Sequence, residues 1–186
     1  MSPSSPPRKA GRLPLRVPPA LHEALMVIAG FTLLTAVMTF PLIARLSDSL
    51  PGLRDPVLLA WTLAWDADRL AHGLEGLWDA PIFFPHANTL AFSEHLLGIA
   101  VLTAPLQWLT GNPVLVYNAA FFGSYVLAGA GTYLLSKSLT GSRLAAALAG
   151  IAVAFGPYRA TQAAHLQVLM SGWMPKVWHP QTLPVR

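Results

Sequence analysis

ALMVIAGFTLLTAVMTFPL, residues 24–42, runs for 19 positions without a charged side chain. A helix of that length covers the ~30 Å hydrocarbon thickness of a bilayer. Upstream, MSPSSPPRKAGRLPLRVPP (1–19) holds six prolines and four basic residues, Arg8, Lys9, Arg12 and Arg16, with no apolar periodicity. That composition predicts a disordered basic tail. A cleaved signal peptide is the competing reading of the apolar run, but its core would be shorter, and no small-x-small cleavage site follows. The run reads as an uncleaved signal anchor spanning about 22–44. By the positive-inside rule the tail stays cytoplasmic and the chain emerges outside.

The rest of the chain agrees with that start. Of 186 residues, 54% are hydrophobic and 11% charged, against roughly 25% charged in an ordinary soluble domain. Mean hydropathy is +0.50. These values exclude a soluble globular domain, a disordered chain and a nucleic-acid binder, despite a sequence pI near 9.9. The absence of cysteine excludes disulfides and thiolate metal sites. Seven of the eight acids (Asp48, Asp55, Asp66, Asp68, Glu75, Asp79, Glu94) fall within 45–95, a stretch with only three bases. The eighth, Glu23, borders the first apolar run. The expectation is an all-α membrane protein of about three transmembrane helices, with interfacial helices in a large outer loop, 45–113.

Residues 96–136 carry no charge but are interrupted at Gly111-Asn112-Pro113, where Asn reads as a helix N-cap and Pro as the first helical residue. The segment 114–136 is a full span. The piece before it, 96–110, is short and contains Pro105. If it crossed the membrane, Lys137 and Arg143 would lie outside. If it lies in the interface, they reach the cytoplasm, and the charge rule favours this arrangement. Ser142 then caps a third helix, 143–157, stopped by Pro157. Small residues line the second span (Ala120, Ser124, Ala128, Thr132) and the third (Ala145, Ala146, Ala149, Ala152), which predicts close helix packing, within the chain or with another membrane protein.

In the outer loop, DPVLLAWTLAWDADRLAH (55–72) has helical periodicity. Leu58, Trp61, Trp65 and His72 share one side; Asp55, Thr62, Asp66 and Arg69 share another. An interfacial helix is expected, and more weakly a second over 94–110 with Ser93 as N-cap. Asp55 before Pro56 has two compatible readings, a helix cap or a catalytic carboxylate, and spacing alone favours the cap. Asp66 and Asp68 do not share a face, and Asp66 with Arg69 reads as a surface ion pair. His72, His86, His95 and Glu94 lack any HxxxH or HxH spacing, so no metal site is indicated, although a divalent cation remains compatible. Arg159 sits where a cation would meet a lipid phosphate or snorkel to headgroups. His165, with Gln162 and Gln167, faces either a cavity or water. There is no phosphate loop, no Rossmann glycine pattern and no serine-nucleophile motif.

One span, an acidic outer loop with interfacial helices, then closely packed spans: this layout resembles the start of a GT-C-type glycosyltransferase. That superfamily of integral membrane enzymes includes protein mannosyltransferases and aminoarabinose transferases. The closer similarity is to large bacterial membrane proteins of that type, through LPGLRDPVLLAWTLAWDADRL (50–70), FFPHANTLAFSEHLLG (83–98), GNPVLVYNAAF (111–121), GTYLLSKSLTGSRLAAALAG (131–150) and AFGPYRATQAAHLQ (154–167). The similarity covers about 20–174. It implies inverting sugar transfer from a polyprenyl-phosphate donor at the outer leaflet of a bacterial inner membrane, with no nucleotide cofactor. Asp55 matches the family's catalytic base. Arg159 and His165 would contact phosphate or acceptor, and Glu94 and His95 the loop's substrate groove.

The similarity ends near SGWMP (171–175), where relatives continue into further apolar helices and this chain reads KVWHPQTLPVR. Residues 175–186 are therefore expected to be an aberrant tail following a frameshift or truncation. The chain would then be the amino-terminal portion of such an enzyme, inactive alone. The alternative is a small non-enzymatic membrane subunit that packs against a partner. A transporter is disfavoured because charges within the spans, the usual mark of an ion path, are missing.

Overall fold

The computed structural model describes residues 19–173; the expected basic tail (1–19), apart from Pro19, and the expected aberrant tail (175–186) lie outside the described residues. The protein is an all-α membrane protein, with no strand among the described residues. Its helices are α1 (Pro19–Met38), α2 (Asp55–Ala71), α3 (Leu97–Thr110), α4 (Pro113–Thr140), α5 (Arg143–Phe155), α6 (Pro157–Thr161) and α7 (Leu166–Leu169). Three stretches are long and apolar enough to cross a membrane: Ala20–Met38, Pro113–Thr140 and Arg143–Thr161. The first helix ends several residues before the expected boundary near 44, and a single 3-10 turn occupies Leu42–Arg45.

α4 is the scaffold. Asn112 caps it as expected, its Oδ1 accepting from the N–H groups of Val114 (3.0 Å) and Leu115 (3.1 Å), with Pro113 in the first turn. Its 28 residues extend ~42 Å, longer than the hydrocarbon core. The same Asn112 donates Nδ2 to the Ser47 carbonyl (2.9 Å). One and a half turns on, the fully buried Asn118 donates to the carbonyls of Leu46 (2.8 Å) and Ser49 (2.7 Å). Two asparagines thus fasten the chain leaving α1 to the start of α4.

α1 touches the bundle along one narrow stripe, Glu23, Val27, Phe31 and Thr35, and exposes Leu25, Ile28, Leu33 and Val37. Phe31 lies against two glycines. A Cβ on Gly129 of α4 would meet its Cγ at 2.8 Å, and one on Gly150 of α5 would meet its Cζ at 2.6 Å. Only glycine admits the ring there. At the far end of the stripe Glu23 joins all three spans. It accepts from Tyr133 Oη (2.8 Å), from Lys137 Nζ and from Arg143 Nη2 (2.8 Å).

Ala120, Ser124, Ala128 and Thr132 are all buried, as the small-residue pattern on the second span predicts. On α5 the pattern holds for Ala146 and, half-buried, Ala149. The buried face is Ala146, Gly150 and Ala154, while Ala145 and Ala152 are exposed. The two faces differ by one position, and the ring of Phe31 selects the face carrying glycine. Ser142 caps α5, accepting from Ala145 N–H (3.3 Å). Pro157 interrupts rather than ends the helix. It drives Gly156 to extended backbone (φ −64°, ψ 159°), and α6 continues from the proline.

The loop after α1 is a built layer. α2 packs on α3 and α4 through Leu59, Ala60 and Leu63, against Leu96, Ile99, Ala100, Tyr117 and Phe121. Trp108 Nε1 donates to the Ala67 carbonyl (3.0 Å). A second small core joins Leu77, Ala80 and Leu90 to Trp61 and Trp65. Trp65 Nε1 donates to the Leu77 carbonyl (2.9 Å). Ser93 does not cap α3: the helix begins at Leu97, and the residue before it, Leu96, makes no capping side-chain bond.

Candidate functional site

Of the two faces of α2, the one carrying Thr62 and Asp66 is turned to the core. Thr62 and Asp66 are fully buried beside Leu59 and Leu63, and Trp61 and Trp65 are half-buried. Asp66 is therefore no surface ion pair. Arg69 pairs with Asp68 through Nε (3.0 Å) and lies over the Trp65 ring, 4.7 Å from its centroid. The partner nearest Asp66 is His95, Nδ1 to Oδ1 at 3.9 Å, and His95 in turn lies 5.0 Å from Trp78, centroid to centroid. Burial pushes the Asp66 carboxyl above the ordinary aspartate range, opposed in part by His95 and by the Leu96 N–H.

Asp55 is the first residue of α2, and no capping bond from its side chain is present among the described residues. The helix start is set by Pro56, which needs no hydrogen bond at that position. The carboxylate is left half-exposed (52%) and faces His165, whose Nε2 lies 3.5 Å from Oδ2. His165 stands immediately before α7, whose Leu166 and Leu169 are sunk in the core beside Tyr117 and Phe121. A rigid anchor thus holds the imidazole against the carboxylate. Leu53, Arg54, Val57, Leu58, Trp61 and Ile82 line an open groove of about 490 Å³ alongside the first turn of α2.

The other sequence candidates meet this segment from two directions. Gln167 of α7 donates Nε2 to Glu94 Oε1 (3.1 Å). Arg159 is 7% exposed, so it neither snorkels nor faces a headgroup. It donates Nη1 to the Leu169 carbonyl (3.0 Å) and Nη2 to Ser124 Oγ (3.0 Å), and lies over the Tyr125 ring at 4.9 Å. The residues 165–169 therefore bring Asp55, Glu94, Arg159 and His165 into one connected arrangement. His95 is turned to Asp66 instead.

The chemistry open to this arrangement is proton transfer at Asp55. A half-exposed carboxylate accepts a proton from a hydroxyl or amide that approaches it, and the adjacent imidazole offers a second acceptor or donor. Among the described residues no three carboxylate or imidazole groups gather about one point as metal ligands. Sequence reading did not single out Arg54, and it named Gln167 only as a neighbour of His165 and Ser124 only as a small packing residue, because no local motif marks their partners. It also missed the burial of Asp66, which the run Leu59, Leu63, Ala67 on the same face would have flagged. No family model, curated protein or solved structure matches the chain. The fold defines its class, an all-α membrane protein with three candidate spans.

Proposed function

We propose that the chain is the amino-terminal portion of a GT-C-type glycosyltransferase of a bacterial inner membrane, with its amino terminus cytoplasmic and Asp55 on the outer face. Asp55 acts as the base. An acceptor hydroxyl or amide attacks the anomeric carbon of a polyprenyl-phosphate-linked sugar, the bond from that carbon to the phosphate oxygen breaks, and the lipid phosphate leaves with the electron pair. Asp55 takes the acceptor's proton. A phosphate leaving group requires no general acid, so one carboxylate suffices for the proton chemistry.

The observation that carries this reading is the state of Asp55: uncapped, half-exposed at the head of α2, and 3.5 Å from an anchored imidazole. A purely structural aspartate before a proline would instead bond the helix N–H groups. The test is Asp55→Asn in a full-length protein carrying these segments. Sugar transfer from a lipid-linked donor should be abolished while the protein still accumulates in the membrane. Undiminished transfer would remove Asp55 from the mechanism.

A second reading, a non-enzymatic subunit packing against a partner, draws support from α1, which leaves Leu25, Ile28, Leu33 and Val37 exposed. Co-purification of a stoichiometric partner, with normal function in Asp55→Ala, would favour it.

A further inference from the structure

The end of the bundle remote from Asp55 carries charge that the chemistry above does not use. Glu23 there faces two cations, Lys137 and Arg143, leaving one positive charge in excess. Arg143 binds Glu23 through Nη2 only, and its side chain is 75% exposed.

Directly beneath this cluster an apolar groove runs between α1 and α5. Met26, Val27, Gly30 and Leu34 line it on one side, Ala147 and Ile151 on the other. Tyr133, whose hydroxyl bonds Glu23, forms part of its wall. On α5 the positions Arg143, Ala147 and Ile151 follow one another at steps of four, so the groove descends ~12 Å from the guanidinium. Its volume is about 260 Å³, and it is open along one side. A single extended hydrocarbon chain fits. Gly30 keeps the groove open, since a Cβ there would meet nothing within 4 Å.

We propose that this groove holds an anionic phospholipid of the surrounding bilayer, one acyl chain lying between α1 and α5 and the phosphate set against Arg143 and Lys137. A zwitterionic headgroup would bring its own ammonium to a site already in cationic excess, so the site discriminates for net negative lipids. The proposal does not depend on sugar transfer.

The test is native mass spectrometry of the full chain in mild detergent, titrated with phosphatidylglycerol or with phosphatidylcholine of matched chains. Phosphatidylglycerol should be retained in preference. Arg143→Gln should cut that preference about fivefold, the share of one juxtamembrane cation, while leaving Glu23 bonded to Lys137 and Tyr133. Gly30→Leu, which fills the groove with a better helix former, should lower retention of the first bound lipid of either type. Equal retention of the two lipids, or retention of phosphatidylglycerol unchanged in both variants, would overturn the proposal. So would displacement by soluble glycerol phosphate alone, which would make the site one for a small anion.

Discussion

Gly129→Ala tests the packing of the three spans. The added methyl would meet the ring of Phe31, with Cγ at 2.8 Å and two further ring carbons closer still. In water an alanine would recover nearly 1 kcal/mol of helix propensity. In a bilayer the helix persists in the unfolded reference, because its backbone has no water to bond, so that gain mostly vanishes. The overpacking cost of about 1–3 kcal/mol then stands almost alone. A net loss of about 2 kcal/mol is expected, roughly thirtyfold in the unfolding equilibrium. Gly150→Ala should lose as much for a different reason, since its methyl meets both Phe31 Cζ (2.6 Å) and the Gly129 carbonyl (2.8 Å). Phe31→Ala separates the two. It should remove most of the penalty of Gly129→Ala, whose clash is with the ring alone, and only part of that of Gly150→Ala, which keeps a backbone contact. The assay is reversible unfolding in mixed micelles followed by tryptophan fluorescence, read as a double-mutant cycle. Wild-type stability in Gly129→Ala, or equal rescue of both glycine variants, would refute the wedge.

Asp66→Asn should raise the thermal midpoint at neutral pH and change it little in acid. The folded carboxyl titrates above its unfolded value because burial opposes charge. Below the unfolded value both states are protonated and no penalty exists; as pH rises through the raised folded value, the buried charge destabilises the fold, and the cost stays above it. Midpoints measured from acid to neutral pH in detergent check this, and a lower midpoint for the variant at neutral pH would contradict it. The proposed orientation is checked by labelling single cysteines with an impermeant maleimide in intact cells. Thr110→Cys, in the turn before α4, should react from outside, and Ser138→Cys, near the end of α4, only after permeabilisation; the reverse pattern would place Asp55 in the cytosol.

The spans were legible because hydrocarbon thickness imposes a length and a charge-free run, and the caps at Asn112 and Ser142 because a helix end needs a side-chain acceptor close in sequence. What stayed hidden depends on partners distant in the chain. Periodicity identifies two faces of α2 but not which one is buried. Leu59, Leu63 and Asp66 face the core, and the indoles pack on the loop around Leu77 and Ala80. Glu23 looks like an isolated acid at the start of an apolar run, and becomes a hub only when α4 and α5 return to it. The cap reading of Asp55 failed for a local reason: with Pro56 next to it, the turn closes through the Arg54 carbonyl, which accepts from Val57 and Leu58.

Why Asp55 and His165 meet follows from how α7 is held. Four residues cannot sustain a helix by themselves, because nucleation outweighs a single turn of hydrogen bonds. α7 exists where Leu166 and Leu169 have the core of α2 and α4 to enter, and where Arg159 reaches the Leu169 carbonyl. Arg159 in turn is fixed by Ser124 and Tyr125, halfway along the central span. The imidazole beside Asp55 is thus positioned from inside the bundle, through one guanidinium, rather than by the loop that carries Asp55. A buried arginine is costly unless its charge is compensated, and here Nη1 and Nη2 bond Leu169 and Ser124 while the Tyr125 ring faces the guanidinium; Nε has no partner among the described residues. That makes Arg159 a positioning residue for the pair: shortening it would release α7 and His165 while leaving the Asp55 carboxylate in place.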